Sequence, residues 1–335
     1  MKLGMNVINL IDNKEKVNST INLMNKYGKE RIPYLFIIDF DMENPVVLKM
    51  SELHQQKIFY QISDTPAKNH SINKKIEFIK FPVSFEDYEK AFEKVYKEIY
   101  SGNTYLLNLT FPTRIKTNLT MEEIYYVSCA KYKLLYKNEF VVFSPETFVK
   151  IEDGLISSFP MKGTIDASIP EAEDILLNDD KEIAEHNTIV DLIRNDLSIV
   201  SKNVRVEKFR YIERLVTNQK TLLQVSSKIV GELEKDYNEN IGNIIFSLLP
   251  AGSISGAPKR KTVDIIHNVE IEKRGYYTGI FGIFDGFNLD SAVMIRFIEN
   301  KNGQLFYRSG GGITFLSNLY SEYQELIDKV YVPIN

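Results

Sequence analysis

The amino-acid sequence predicts an α+β protein built on antiparallel sheets, and three observations carry that prediction. Apolar runs of strand length and stretches of helical spacing follow one another without the regular alternation of a doubly wound sheet. Turn dipeptides, Asp153-Gly154, Asp285-Gly286 and Asn302-Gly303, join neighbouring strand-like runs, as antiparallel hairpins require. No internal repeat, low-complexity tract or Pro/Gly-rich linker interrupts the 335 residues, so they read as a single large domain.

Residues 33–40 ("PYLFIIDF") read as a buried strand. Residues 84–103 read as a helix: Ser84 with Asp87 resembles a capping box, Tyr88, Phe92, Val95 and Ile99 form an apolar stripe, and Gly102 suits the stop. A strand over 104–111 follows, and Thr120 with Glu123 opens another capped helix. Strands dominate 139–164. Folding this stretch at Asp153-Gly154 places Glu146 near Met161 and Lys162 at the open end of the hairpin; Pro160 interrupts the ladder and leaves the parity open. A long helix is predicted over about 170–197, another over 238–249 and a third from near Ser255. Residues 276–310 read as three antiparallel strands, and a last helix over about 318–331 follows "GGGIT".

Composition bounds the function. Hydrophobic residues make up 44% and charged residues 26% of the chain, ordinary values for a folded soluble protein. The net charge is −4 and the basic residues are scattered, which argues against a nucleic-acid partner, since phosphate binding needs a concentrated basic face. The longest apolar runs, such as 243–250, are too short to span a bilayer, and the N-terminus lacks the apolar core of a signal peptide. No membrane association and a cytoplasmic setting are expected. A single cysteine, Cys129, excludes an internal disulfide and a Cys-rich metal site. With four scattered histidines, carboxylates would hold any metal, which means a hard cation such as Mg²⁺.

Several clusters could carry chemistry. Lys162, in "SSFPMKGTIDAS", is either a solvated charge at a strand end or a nucleophile at the mouth of a pocket. Glu182 and Glu185 lie three apart on a predicted helix and share a face; Glu322 and Glu325 repeat the device near the C-terminus. Two such pairs suit an oxygen-ligated Mg²⁺, and each also suits a solvated helix face. "LLPAGSISGAPKRKT" (248–262) reads as a small-residue loop opening a helix, either an anion seat or a tightly packed start. It is no nucleotide P-loop, because Ala257-Pro258 stands where that motif needs Gly-Lys. Gly310, Gly311 and Gly312 would let backbone approach a ligand closely. Arg296, flanked by apolar residues on a predicted interior strand, needs an anionic partner, structural or substrate.

Taken together, "SPETF", "FPMKGT", "KEIAEHNTIVDLIRNDL", "LLPAGSISGAPK", "RGYYTGIFG", "VMIRF", "GGGIT" and "EYQELIDK" resemble the motifs of the chorismate-utilising enzymes, in family order from about residue 84 to the C-terminus. The resemblance implies antiparallel sheets packed as a sandwich flanked by helices, with the N-terminal part (about 1–80) shortened and any tryptophan pocket incomplete. Within the family, "PMKGT" is similar to the form of the aminodeoxychorismate synthase large component; anthranilate synthases typically carry alanine at Lys162. The implied chemistry is attack of the Lys162 amine on C2 of chorismate as the 4-hydroxyl leaves, with Glu146 as general acid, followed by addition of ammonia at C4 and expulsion of the lysine. By the same resemblance, Glu185 and Glu325 are direct Mg²⁺ ligands and Glu182 and Glu322 their outer-shell partners. Arg296, Tyr277 and the Gly310–Gly312 backbone match groups that grip the other carboxylate, Ser253 and Gly256 match contacts near the ring, and Thr164 joins the substrate set. Two positions depart from the pattern. Leu106 stands where isochorismate and salicylate synthases carry a water-activating lysine and the amine-adding members usually carry glutamine. Leu223, beside Gln224, stands where a histidine is common. No amidotransferase segment is recognisable, so the expected partner is a separate glutamine amidotransferase subunit. The alternatives are an anthranilate synthase large component and a catalytically inactive chorismate-binding regulatory protein.

Overall fold

The computed structural model describes residues 2–62, 74–216 and 221–334. Helix α1 (Lys2–Lys29) leads into strands β1 (Tyr34–Ile38), β2 (Val46–Lys49), β3 (Ile58–Ile62) and β4 (Phe78–Phe81). Helix α2 (Phe85–Tyr100) starts where the sequence places it: the Ser84 hydroxyl accepts the Asp87 N–H, and Tyr88, Phe92, Val95 and Ile99 are buried. Strand β5 (Leu106–Thr117) runs on past the predicted end at 111. Helix α3 (Met121–Val127) carries the expected reciprocal cap between Thr120 and Glu123. Then come β6 (Tyr132–Tyr136), β7 (Phe140–Ser144), β8 (Thr147–Glu152), β9 (Leu155–Ser158) and β10 (Met161–Asp166). The β8–β9 turn is made by Asp153 (φ 50) and Gly154 (φ 77), the two positive φ values that a two-residue hairpin of this kind demands.

The long helix predicted over 170–197 is two helices, α4 (Ala172–Leu177) and α5 (Asp180–Val200). Asp179 between them has extended backbone, and its carboxylate accepts the Glu182 N–H at 2.9 Å, so a second start signal lies inside the run. Strands β11 (Lys202–Val216) and β12 (Thr221–Glu232), α6 (Ile241–Ser247), the single turn α7 (Gly252–Ser255), β13 (Gly256–Ala257) and α8 (Lys259–Val269) follow. The helix expected from near Ser255 therefore begins at Lys259; Gly256 and Ala257 are taken up first by pairing with Leu107 and Leu106 of β5. Strands β14 (Ile280–Phe284), β15 (Leu289–Val293), β16 (Phe297–Lys301) and β17 (Gln304–Thr314) and helix α9 (Leu319–Asp328) complete the chain.

Two antiparallel sheets result. One has nine strands in the order β10-β12-β9-β8-β15-β14-β1-β2, with β11 also on β12; the other has eight, β13-β5-β17-β16-β7-β6-β3, with β4 on β5. Side chains of β1 show how the layers meet. Leu35 and Ile37 pack with Leu134 and Val142 of the second sheet, while Tyr34, Phe36 and Ile38 join the cluster that contains α2, α5 and α6 residues. The N-terminal strands are thus divided between both sheets. Among the described residues, no helix is long and apolar enough to cross a membrane. The chain passes from the first sheet to the second at Met294–Arg296, between β15 and β16. Arg296 is therefore not on an interior strand, as expected, but at this crossover, with φ 53.

Candidate active site

Lys162 lies on β10, opposite Val225 of β12, and the register slips immediately after it at Gly163, which has φ 72. A bulge of this kind turns the strand and re-aims the side chain beside it. The Lys162 amine meets Glu185 Oε2 of α5 at 3.0 Å, and the Glu185 side chain is 9% exposed. Glu182, one turn earlier on α5, comes close to the bulge: a methyl group built at Gly163 would stand 3.2 Å from its Oε2. From the other side, β17 supplies a floor without side chains. A methyl group at Gly312 would lie 3.3 Å from Lys162 Nζ and 3.1 Å from Leu106 Cδ1, and one at Gly311 would lie 3.4 Å from Glu322 Oε2 and 3.8 Å from Glu325 Oε1. The three glycines are inside β17, paired with Thr110, Leu109 and Asn108, rather than after a strand as expected. Burial presses the Lys162 pKa down, but Glu185, with Glu182 and Glu325 behind it, outweighs burial and the net shift is upward.

Glu146 lies between β7 and β8. Ser253 Oγ of α7 donates a short hydrogen bond to its Oε1, and its backbone carbonyl accepts the Val293 N–H at 3.1 Å. Burial raises the Glu146 pKa; the Ser253 bond and the charges of Lys162, Lys329 and Arg296 oppose the rise without cancelling it. Glu146 feels the charge of Lys162, but its hydrogen-bond partner is Ser253 and that of Lys162 is Glu185, and the two are not set opposite each other on a shared ladder. Pairing of β8 with β9 ends at Lys150 and Ser157, and beyond Pro160 the chain pairs with β12 instead. The Pro160 carbonyl accepts the Ser227 N–H at 3.0 Å.

Arg296 makes no ion pair with an acidic side chain among the described residues; its guanidinium lies over the Tyr331 ring, 5.2 Å from the centroid. Burial pushes the Arg296 pKa down, and the phenols of Tyr307, Tyr331 and Tyr277 more than reverse it. Tyr277 is 3% exposed, and burial pushes its phenol up to about 12. Lys329, which sequence reasoning missed, ends α9 inside the site. Its amine donates to the Gly310 carbonyl at 3.0 Å and pairs with Glu325 at 2.5 Å, and burial lowers its pKa against the pull of Glu325. A lysine at a helix end reads in sequence as a complement to the dipole, which hid it.

The remaining expectations fall in different places. Ser253 is in the site, holding Glu146. Gly256, at φ 136, faces backbone: an added methyl group would stand 1.9 Å from the Leu106 carbonyl oxygen. Thr164 is exposed, opposite Gln224. Leu106 is 4% exposed and borders the amine through Gly312, so an apolar side chain stands beside the nucleophile candidate. Leu223 is packed with Ala172, Leu176 and Val225 and is a core residue. The four glutamates suit a hard divalent cation in donor type. Among the described residues, however, no three acidic, imidazole or thiol groups stand as a ready ligand set, and the Lys162 ammonium occupies Glu185.

Residues 36–335 match the model of a protein family described as chorismate binding enzyme. A PabA-like protein of Pasteurella multocida is 50% identical over 95% of this chain and 99% of its own length. Aminodeoxychorismate synthase component 1 of Bacillus subtilis is 32% identical over 75% of this chain and 55% of its own. The solved structure of a 2,3-dihydroxybenzoate-specific isochorismate synthase from Bacillus anthracis superposes with a TM-score of 0.70 over 94% of this chain and 87% of that one; at 19% identity the likeness is one of fold.

Proposed function

The chain belongs to the chorismate binding enzyme family, and from that premise we propose that it is the large component of an aminodeoxychorismate synthase. The reading rests on Lys162. Its amine is a quarter exposed and does not stand free at a strand end: it pairs with Glu185 beside the glycine floor of β17, and its charge is felt at Glu146. Arg296, Tyr277 and Lys329, with the backbone of Gly310 to Gly312, would hold one carboxylate of chorismate. The Lys162 ammonium first gives a proton to its partner Glu185; the neutral amine then attacks C2 while the C4–O bond breaks, and the proton on Glu146 leaves with the hydroxyl as water. Ammonia forms the C4–N bond as the lysine–C2 bond breaks, which returns Lys162 unchanged and gives 4-amino-4-deoxychorismate, a precursor on the route to para-aminobenzoate and folate. Glu185 and Glu325, backed by Glu182 and Glu322, would hold Mg²⁺, which when bound supplies positive charge to the ring carboxylate. Leu106 beside the amine offers no group to activate water, which disfavours hydroxylation at this point. Ammonia would come from a separate glutamine amidotransferase subunit, in the cytoplasm.

The test is to incubate the protein with chorismate, Mg²⁺ and ammonium and to identify products by mass. Aminodeoxychorismate is expected from wild type, with a substrate-derived adduct on Lys162 in single turnover, and neither from Lys162→Ala. Anthranilate as product would reassign the chain to anthranilate synthase; chorismate binding without turnover would leave a binding protein.

A further inference from the structure

We infer that Tyr331 is a positioning residue: its ring holds the Arg296 guanidinium in place for a ligand carboxylate, which makes the segment after α9 part of the site. The inference rests on the reading that Arg296 grips a carboxylate of the substrate, and it concerns what keeps that arginine ready. Arg296 stands at the crossover between the sheets in a left-handed conformation, and no acidic side chain among the described residues pairs with it. Its guanidinium lies 5.2 Å from the centroid of the Tyr331 ring. The nature of that contact matters. A carboxylate partner would neutralise the charge and take two N–H donors at once, whereas Tyr331 attracts the charge with its ring and engages the guanidinium at most through its single phenol oxygen, which leaves the other edge donors available.

The surroundings show that Tyr331 is held there by its neighbours and not by its own burial. Val330 is 1% exposed, the Cys129 N–H donates to the Pro333 carbonyl at 2.7 Å, and Ile334 bridges to Ser128. Anchors therefore lie on both sides of a tyrosine that is itself 45% exposed. Its side chain lines an open groove with Glu325 and Lys329, the residues that border the glycine floor. A half-exposed aromatic ring on a backbone anchored to either side of it, with an arginine against it, is placed to orient that arginine.

Chorismate affinity, measured by calorimetry with Mg²⁺ and without ammonia, tests the assignment. Tyr331→Ala should weaken binding about tenfold, and Tyr331→Phe, which keeps the ring face, should stay within about twofold of wild type. In an Arg296→Gln background, Tyr331→Ala should cost nothing further. With ammonium present, KM should rise in Tyr331→Ala while kcat changes less. Should Tyr331→Ala not fold, Tyr331→Leu carries the same expectation. Unchanged affinity in the alanine variant, equal losses for alanine and phenylalanine, or full additivity with Arg296→Gln would overturn the inference. If Arg296→Gln itself binds chorismate as wild type does, the carboxylate grip falls and takes this inference with it. The Lys162 reading would still be decided by product identity.

Discussion

The Ser253–Glu146 hydrogen bond makes a prediction about pH. Burial raises the Glu146 pKa, and Ser253 is the strongest influence opposing the rise. A carboxyl with a raised pKa keeps its proton above the ordinary range, so a step that needs this acid is at full rate below that pKa and is lost as pH climbs through it. Ser253→Ala removes a lowering influence, so the descending limb of kcat/KM, corrected for the fraction of free ammonia, should move to higher pH. Glu146→Gln should abolish the limb, and an unmoved limb in Ser253→Ala would separate it from Glu146. Lys162 stands out in sequence as a lone cation beside a Gly-Thr turn, whereas Glu146 and Ser253 take their roles from the family resemblance, which gives Ser253 as a ring contact and not as the hydrogen-bond partner of Glu146 that it is here. Sequence reading missed Lys329 and the Arg296–Tyr331 contact because both depend on where α9 ends and where the chain changes sheets, which no local pattern records.

Two glycines separate fold from chemistry at the scale of the element. Gly256 closes β13 onto β5 at φ 136, where a methyl group would meet the Leu106 carbonyl at 1.9 Å. Gly256→Ala should cost about 3 kcal/mol or more, read as a lowered thermal midpoint, because both the conformation and the backbone contact resist a side chain. Gly312 on β17 has no such backbone obstacle; its new neighbours would be Lys162 Nζ and Leu106 Cδ1. Gly312→Ala should therefore stay within about 1 kcal/mol of wild type in stability and lose most of its turnover, as melting curves and initial rates would show. If both variants lose stability alike, the glycine floor is only packing. Elements with local signals were legible. The Asp153-Gly154 hairpin and the caps at Ser84 and Thr120 form as expected, since each needs only a few neighbouring residues. The division between α4 and α5 was not, because the apolar spacing continues across Asp179 and only the cap reveals the break.

For the whole molecule, the question is where nitrogen enters. Cys129, the sole thiol, donates its backbone N–H to Pro333 in the segment after α9, and its sequence surroundings, "YVSCAKY", lack the Gly-rich setting expected of a glutaminase nucleophile. The chain alone should therefore work with high ammonium at raised pH and fail with glutamine, until a glutaminase subunit is added. Label from amide-labelled glutamine appearing in product without a partner would overturn the two-subunit reading. The mixture of charges around Lys162 has a further consequence for the order in which ligands arrive. Four glutamates, Glu182, Glu185, Glu322 and Glu325, share the region with three cations, Lys162, Arg296 and Lys329. A dicarboxylate entering alone would deepen an already negative basin, and a divalent ion entering alone would reverse its sign. Arriving together they cancel, so the cleft's electrical state is the same full as empty, and each ligand becomes the other's admission ticket.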